Sequence, residues 1–256
     1  MPNQFKLLPA LLKRELLEHN NLRRVPVILL CIALLLRLAI YMGTPSPDLG
    51  FVEQLQLDKV VDNILSSAMA RSLYSMNFII MIAMYITAVF YSLSCLFNER
   101  QDQSVLFWRS LPISDSLTVA SKLIIALLVI PLTILLCQII TTVTFLDVNS
   151  IDYFANYFFA SLKYLSKIVV WSMLPVIAWC LFCSSFAERN PFLLAFVAPI
   201  IVILVDNLFF AGQLSAALIT DRFTGNDHYS FSSLVIALVF SAICIILVTI
   251  KRSQRI

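Results

Sequence analysis

Charged residues are scarce in this chain. They make up 13% of its 256 residues, against about 25% in ordinary soluble domains, whereas hydrophobic residues make up 60%. The net charge of +3 comes with no basic domain, so the composition does not favour nucleic-acid binding. Together with a mean hydropathy of +0.91, it predicts a protein that crosses a membrane several times.

Glycine, histidine and catalytic motifs are also rare or absent. All four glycines fall in the predicted outer connections, so no predicted span carries a GxxxG dimerisation face. The two histidines, His19 and His228, are predicted on opposite sides of the membrane and cannot form a paired acid–base site. The sequence has no GxxxxGK[ST], HExxH or GxSxG motif. We therefore expect a chain that is not an enzyme and binds no cofactor itself.

The six cysteines lie in or at the edges of the predicted spans, where no oxidised extracellular framework forms. Cys180 and Cys183 make a CxxC pair, but a zinc or redox site needs partner ligands and access to water. Neither histidine is near this pair in sequence. Packing is the favoured interpretation, and a metal site is the less favoured alternative.

Six long apolar runs predict an all-α integral membrane protein with a single transmembrane domain over residues 1–256. A helix needs about 20 residues to cross a bilayer, and each run approaches or exceeds this length. Because the runs are continuously apolar, they favour helices over barrel strands. The predicted spans are 25–42, 76–97, 118–146, 164–186, 191–211 and 232–250.

The distribution of lysine and arginine predicts that both termini are cytoplasmic. The residues expected outside are few: Lys59, Arg71, Lys163, Lys167 and Arg222. The residues expected inside are many: Lys6, Lys13, Arg14, Arg23, Arg24, Arg100, Arg109, Lys122, Arg189, Lys251, Arg252 and Arg255.

Two amphipathic segments flank the first predicted span. Residues 1–24 place Phe5, Leu8, Leu12 and Leu16 at helical spacing, which predicts an elbow helix in the cytoplasmic interface. A simple surface anchor explains the same pattern. In the outer loop, 43–75, the pattern over residues 51–73 predicts a second interfacial helix.

Four residues inside the spans stand out. Pro131, Pro175 and Pro199 each lie near the middle of a span, where proline removes a backbone hydrogen bond and kinks a helix. Tolerated kinks are favoured over gating hinges. Asp206 lies too deep for its short side chain to reach the interface, which makes it a candidate for a substrate pathway.

The cytoplasmic loop at 98–117 is the most informative segment. Its charged and aromatic residues predict a short amphipathic helix over 99–111, with Asn98 as N-cap and Pro112 as its end. Ser114 or Asp115 is expected to cap the next helix. Aromatic side chains of this kind dominate protein interfaces. The residues alone leave two interpretations open: docking of a partner, or a helix that holds two spans together.

This loop resembles the first cytoplasmic loop of ABC-2 type transporter permeases, with the sequence LFNERQDQSVLFWRSLPISDSLTVASK. The matching residues are Glu99, Arg100, Asp102, Ser104, Phe107, Trp108, Arg109, Ser110, Leu111, Pro112, Ile113, Ser114, Asp115, Val119, Ser121 and Lys122. Gln103 replaces the usual glycine, which a helix tolerates well. The motif covers about a tenth of the chain, and the six spans, cytoplasmic termini and elbow helix extend the resemblance.

The resemblance implies a permease in a bacterial inner (cytoplasmic) membrane that works with a second permease subunit, identical or different. Export is the expected direction, because no docking domain for an extracytoplasmic binding protein is visible in the sequence. ATP and Mg would be bound by a separate ATPase subunit. The loop helix would be the coupling helix that docks on that ATPase, with Phe107 and Trp108 supplying docking energy. The implied docking residues are Glu99, Arg100, Asp102, Phe107, Trp108, Arg109, Pro112 and Asp115.

Two other classes of function remain in competition with the transporter. A membrane scaffold would bind a cytoplasmic partner that is not an ATPase. An intramembrane enzyme is least favoured, because no plausible polar cluster is visible in the spans. ATP turnover that appears only with a bound partner separates the transporter from the scaffold.

Overall fold

The computed structural model describes residues 8–43, 58–102, 114–145, 151–209, 212 and 231–254. These described residues are helical almost throughout and contain no strand, as the apolar runs predict. The helices are α1 (Leu8–Glu18), α2 (Asn21–Gly43), α3 (Asp58–Gln101), α4 (Asp115–Ile124), α5 (Ile130–Phe145), α6 (Ile151–Ile168), α7 (Leu174–Phe186), α8 (Pro191–Phe209) and α9 (Phe231–Gln254).

Five helical stretches are long and apolar enough to cross a membrane, which makes the chain a multi-pass membrane protein. They are Ser75–Gln101, Asp115–Thr144, Ser161–Phe186, Pro191–Phe209 and Leu234–Gln254. The first predicted span, 25–42, is helical within α2 but is not one of these five. Its crossing, the sixth span and the cytoplasmic position of the termini stay predictions.

Several predicted boundaries are wrong because helices continue through segments that looked like connections. The outer interfacial helix and the second span belong to one helix, α3. The predicted outer loop before the fourth span is helical from Ile151 onward. The coupling helix does not begin at Glu99, because α3 runs through Gln101 and Asn98 accepts a bond from the Asp102 amide inside this turn. Most of the predicted docking helix, 103–113, lies outside the described residues.

Proline changes the helical geometry at two of the three predicted kinks. A π-helical turn, Ile125–Val129, ends two residues before Pro131, and another, Val169–Met173, ends two residues before Pro175. Both have a wider bond, from Ile130 N–H to Ile125 O and from Leu174 N–H to Val169 O. The wider turn relieves the clash between a proline ring and the preceding carbonyl. By contrast, α8 stays α-helical across Pro199.

The chain divides into two compact units. The first comprises residues 1–20, 85–131 and 164–256, where α7 packs along α9 and α8, and α4 packs on α1 and α9. Its core includes Leu93, Cys180, Cys183 and Ala195. The second comprises residues 21–84 and 132–163, and its buried side chains come from α2, α3 and α5.

Candidate functional site

Five charged side chains from four helices meet inside the first unit, next to the predicted docking loop. Helix α1 contributes Glu15, the end of α3 contributes Glu99, α4 contributes Asp115 and Lys122, and α9 contributes Arg252. We call these five residues the ion cluster. Glu99 precedes the loop segment 103–113 and Asp115 follows it, so the cluster joins the two ends of that segment.

Lys122 links the terminal helix α1 to the end of α3. Its Nζ lies 2.6 Å from Oε1 of Glu15 and 3.0 Å from Oε1 of Glu99. Only 1% of Lys122 and 3% of Glu99 are exposed. A lysine this deep in the protein is tolerated because two carboxylates compensate for the hydration that it has lost.

Arg252 bridges both ends of the loop segment with one guanidinium group. Nη1 lies 3.0 Å from Oε2 of Glu99, and Nε donates to Oδ1 of Asp115 at 2.9 Å. The planar guanidinium fixes two acceptors in direction as well as distance, which an ammonium group cannot do. The C-terminal helix therefore sets the separation between Glu99 and Asp115.

Tyr91 and His19 complete the surroundings of Glu15. The Tyr91 hydroxyl donates to Oε2 of Glu15 at 3.2 Å, and Nε2 of His19 lies 3.9 Å from the same oxygen. The His19 ring meets the Tyr91 ring edge to face at 4.8 Å. Burial lowers the pKa of His19, and the negative charge of Glu15, which raises that pKa, offsets only part of the effect. A neutral imidazole at neutral pH follows from this shift.

The charges and the burial of the ion cluster favour a role in positioning the loop ends. With His19 neutral, three carboxylates face two cations, and the side chain of Asp115 is 33% exposed, so water shares its charge. Buried ion pairs give little net stability, because desolvation offsets their attraction. They do demand one geometry, since a displaced partner leaves an uncompensated charge. The cluster is therefore suited to holding the loop ends in position.

Arg100 fastens the same end of α3 to the C-terminal end of α7. Its guanidinium donates to the carbonyl oxygens of Ser184 and Ala187, the latter at 2.8 Å. The Phe97 amide donates to the Ser184 hydroxyl at 3.0 Å. Cations favour the C-terminal ends of helices, where carbonyl groups have no partner within the helix. Arg100 satisfies two such groups.

The residues predicted to dock a partner have different surroundings. Glu99, Arg100 and Asp115 come together at the loop ends, where their side chains contact other helices of the same chain. Asp102 is exposed at the end of α3. Phe107, Trp108, Arg109 and Pro112 lie outside the described residues.

The pathway candidate Asp206 is buried within α8, with 2% exposure, and its backbone oxygen accepts a bond from the Gly212 amide at 3.2 Å. Its role in a pathway stays a prediction. The cysteine pair Cys180 and Cys183 is buried in α7. In the part of the chain that the structure describes, no group of three or more His, Cys, Asp or Glu side chains is placed to hold a metal ion.

The sequence did not reveal the roles of Glu15, Lys122 and Arg252. Lys122 stood out as a topological charge and as part of the resemblance, and Arg252 as a topological charge alone. One usable signal in the sequence was the position of Glu15 one helical turn after Leu11, which places both on the same face of α1. The structure buries both side chains, whereas Lys13 and Leu17 are exposed. The pairing of Glu15 with Lys122 spans more than a hundred residues and is not visible in any local pattern.

No known protein family, curated protein or solved structure matches this chain.

Proposed function

We propose that this chain is the transmembrane permease subunit of an ATP-binding cassette exporter. The observation that carries the proposal is the ion cluster, which fixes both ends of the segment 103–113 at the edge of the spans. A loop that transmits force needs rigid ends, because slack at its base would absorb the movement. The resemblance of residues 96–122 to ABC-2 permeases supports the same assignment.

In this proposal, Phe107 and Trp108 dock in a groove of a separate ATPase subunit that binds ATP and Mg. Movement of the ATPase displaces the loop, and its ends carry the displacement into the spans. Glu99 transmits the displacement to α3, and Lys122 transmits it to α4 and, through its ion pair with Glu15, to α1. The ion pair between Arg252 and Glu99 transmits it to α9. The buried residues of the motif thus position the loop, whereas the aromatic residues contact the partner.

The complete complex would contain a second permease subunit, identical or different, and its work would be substrate movement or force transmission across the bacterial inner membrane. The five apolar helices supply the membrane domain that this function requires. ATP hydrolysis takes place in the partner, so the chain itself is not an enzyme.

Purification of the tagged chain from its native host in mild detergent tests this proposal. We expect a stoichiometric ATP-binding protein to co-purify, with ATP hydrolysis that is absent without it. Trp108→Ala should remove the partner, because truncation of an aromatic anchor costs at least about 2 kcal/mol, or about thirtyfold in affinity. Phe159→Ala, which truncates an exposed aromatic residue in α6, is the matched control and should retain the partner.

Two results would overturn the proposal. A Trp108→Ala variant that folds and keeps its ATPase would show that the loop does not dock there. A well-folded wild-type chain that purifies with a partner lacking ATPase activity would identify a membrane scaffold instead.

A further inference from the structure

A patch of uncharged polar side chains is buried in the second unit, between α3 and α5. It consists of Asn77 on α3 and Gln138, Thr141 and Thr142 on α5. The three α5 residues are spaced at i, i+3 and i+4 and so share one face of the helix. This patch is separate from the ion cluster, which belongs to the first unit.

Within the patch, the side-chain oxygen of Gln138 is an acceptor without a donor. The Thr141 hydroxyl donates to Oδ1 of Asn77 at 2.8 Å, and the Thr142 hydroxyl donates to the backbone oxygen of Gln138 at 2.6 Å. Gln138 itself is only 8% exposed, and none of the described residues donates to its side-chain oxygen. The patch therefore presents a buried acceptor.

A buried acceptor without a donor costs free energy at membrane depth. Lipid offers no donor, and a buried amide oxygen without a bond costs more than an apolar side chain of the same size. A leucine at position 138 would pack without this cost. The presence of glutamine at this position is accounted for if a ligand supplies the donor.

The surroundings define the chemistry of that ligand. Asn77 lies near the beginning of the stretch Ser75–Gln101, and Thr142 lies near the end of Asp115–Thr144. The patch is thus close to the ends of two candidate spans, at the depth where an amphiphile holds its polar group. Large apolar side chains are exposed on the same helices, at Phe78, Ile79, Ile140 and Val143. These side chains can contact an acyl chain.

We propose that this patch binds the headgroup of a neutral, hydroxyl-bearing amphiphile, whose hydroxyl donates to the side-chain oxygen of Gln138. The four polar side chains carry no charge, so they offer nothing to offset the burial of an ionic headgroup. The amphiphile enters from the bilayer, with its chains along the exposed apolar side chains. If the proposed function holds, this is the substrate class of the exporter, but the binding step itself needs no ATPase.

Photolabelling of the purified chain in phosphatidylcholine nanodiscs tests the site. The probes are a diazirine-bearing diacylglycerol, which has one hydroxyl donor, and its O-methyl ether, which has the same chains and no donor. We expect the alcohol to label α3 and α5 about tenfold more than the ether, as one buried hydrogen bond of about 1.4 kcal/mol requires. Gln138→Leu should reduce alcohol labelling to the level of the ether.

Thr144→Val is the matched control, because the Thr144 hydroxyl bonds the Thr141 backbone oxygen on the same helix and lies outside the patch. It should leave the labelling ratio unchanged. Equal labelling by alcohol and ether in the wild type would overturn the proposal, since water would then satisfy the oxygen as well as the ligand does.

Thermal unfolding of the same variants distinguishes binding from a structural role. Without ligand, Gln138→Leu should unfold at the wild-type temperature or above it, because it removes a buried acceptor with no partner. A lower unfolding temperature would show that Gln138 stabilises the helices, and would overturn the proposal. Both measurements use the permease alone, so they stay valid if no ATPase co-purifies.

Discussion

Lys122 shows how a single buried cation can hold three helices in place. It contacts carboxylates from α1 and α3 while lying on α4, and it has almost no exposure to solvent. The net stability of such an arrangement is small, but the penalty for removing one member is large. The residue thus determines where the helices sit more than how strongly they associate.

Lys122→Met should lower the free energy of unfolding by about 3–5 kcal/mol, because Glu15 would be left buried without its lysine and Glu99 would keep only Arg252 as a counterion. Lys13→Met, which alters an exposed lysine of α1, should change it by less than about 0.5 kcal/mol. Denaturant unfolding in detergent micelles measures both. Adding Glu15→Gln and Glu99→Gln to Lys122→Met should recover part of the loss, and equal stability of the two single lysine variants would contradict this account.

The sequence located the important segment but not its internal pairing. The residues flanking the loop, Glu99, Arg100 and Asp115, stood out because charges are rare in this chain. Their partners are far away in sequence, as with Glu99 and Arg252. Only packing brings such residues together. The residues alone left docking of a partner and a helix that holds two spans together both open, and the side chains of Glu99, Arg100 and Asp115 contact other helices of the same chain.

At the scale of helices, one of the two predicted caps is confirmed and the other is wrong. Ser114 was predicted as a candidate cap of α4, and its hydroxyl oxygen does accept a bond from the Leu117 amide, at 3.4 Å. The predicted start of a helix at Asn98 was wrong. Burial of Glu99 favours one more turn of α3, and this tertiary effect outweighs the local capping preference of asparagine.

Arg100→Ala should loosen the C-terminal end of α7, because the carbonyl groups of Ser184 and Ala187 would lose their donor. The expected loss is about 1–3 kcal/mol, as for other buried groups that lose a partner. Hydrogen exchange should become faster at the Ala187 amide, which bonds the Cys183 oxygen. Arg189→Ala, at an exposed position of the same connection, is the control. Unchanged exchange in Arg100→Ala would contradict this role.

At the scale of the whole molecule, an even number of membrane crossings leaves both chain ends on one side, and an odd number leaves them on opposite sides. Five crossings, one for each long apolar stretch of the described residues, would place the two ends on opposite sides of the membrane. The charge distribution predicts that they lie on the same side. Among the described helices, α2 is the one whose crossing would reconcile the two, although Arg23, Arg24 and Arg37 lie within it.

Fusion of a reporter that fluoresces only in the cytoplasm tests this parity in bacterial cells. We expect fluorescence from a reporter placed at either end of the chain, and none from a reporter joined after Gly43, at the end of α2. Fluorescence at Gly43 would show that α2 does not cross. The membrane class itself was predictable, because scarcity of charge is a property of the whole sequence.

The bridge made by Arg252 has a consequence for biosynthesis. Of the five members of the ion cluster, Arg252 is the last to be synthesised. Until it leaves the ribosome, Glu99 and Asp115 lack the guanidinium group that joins them. A chain that stops before Arg252 therefore lacks the group that joins Glu99 to Asp115. If the proposed function holds, an ATPase that recognises only the joined form would assemble with finished subunits and not with truncated ones.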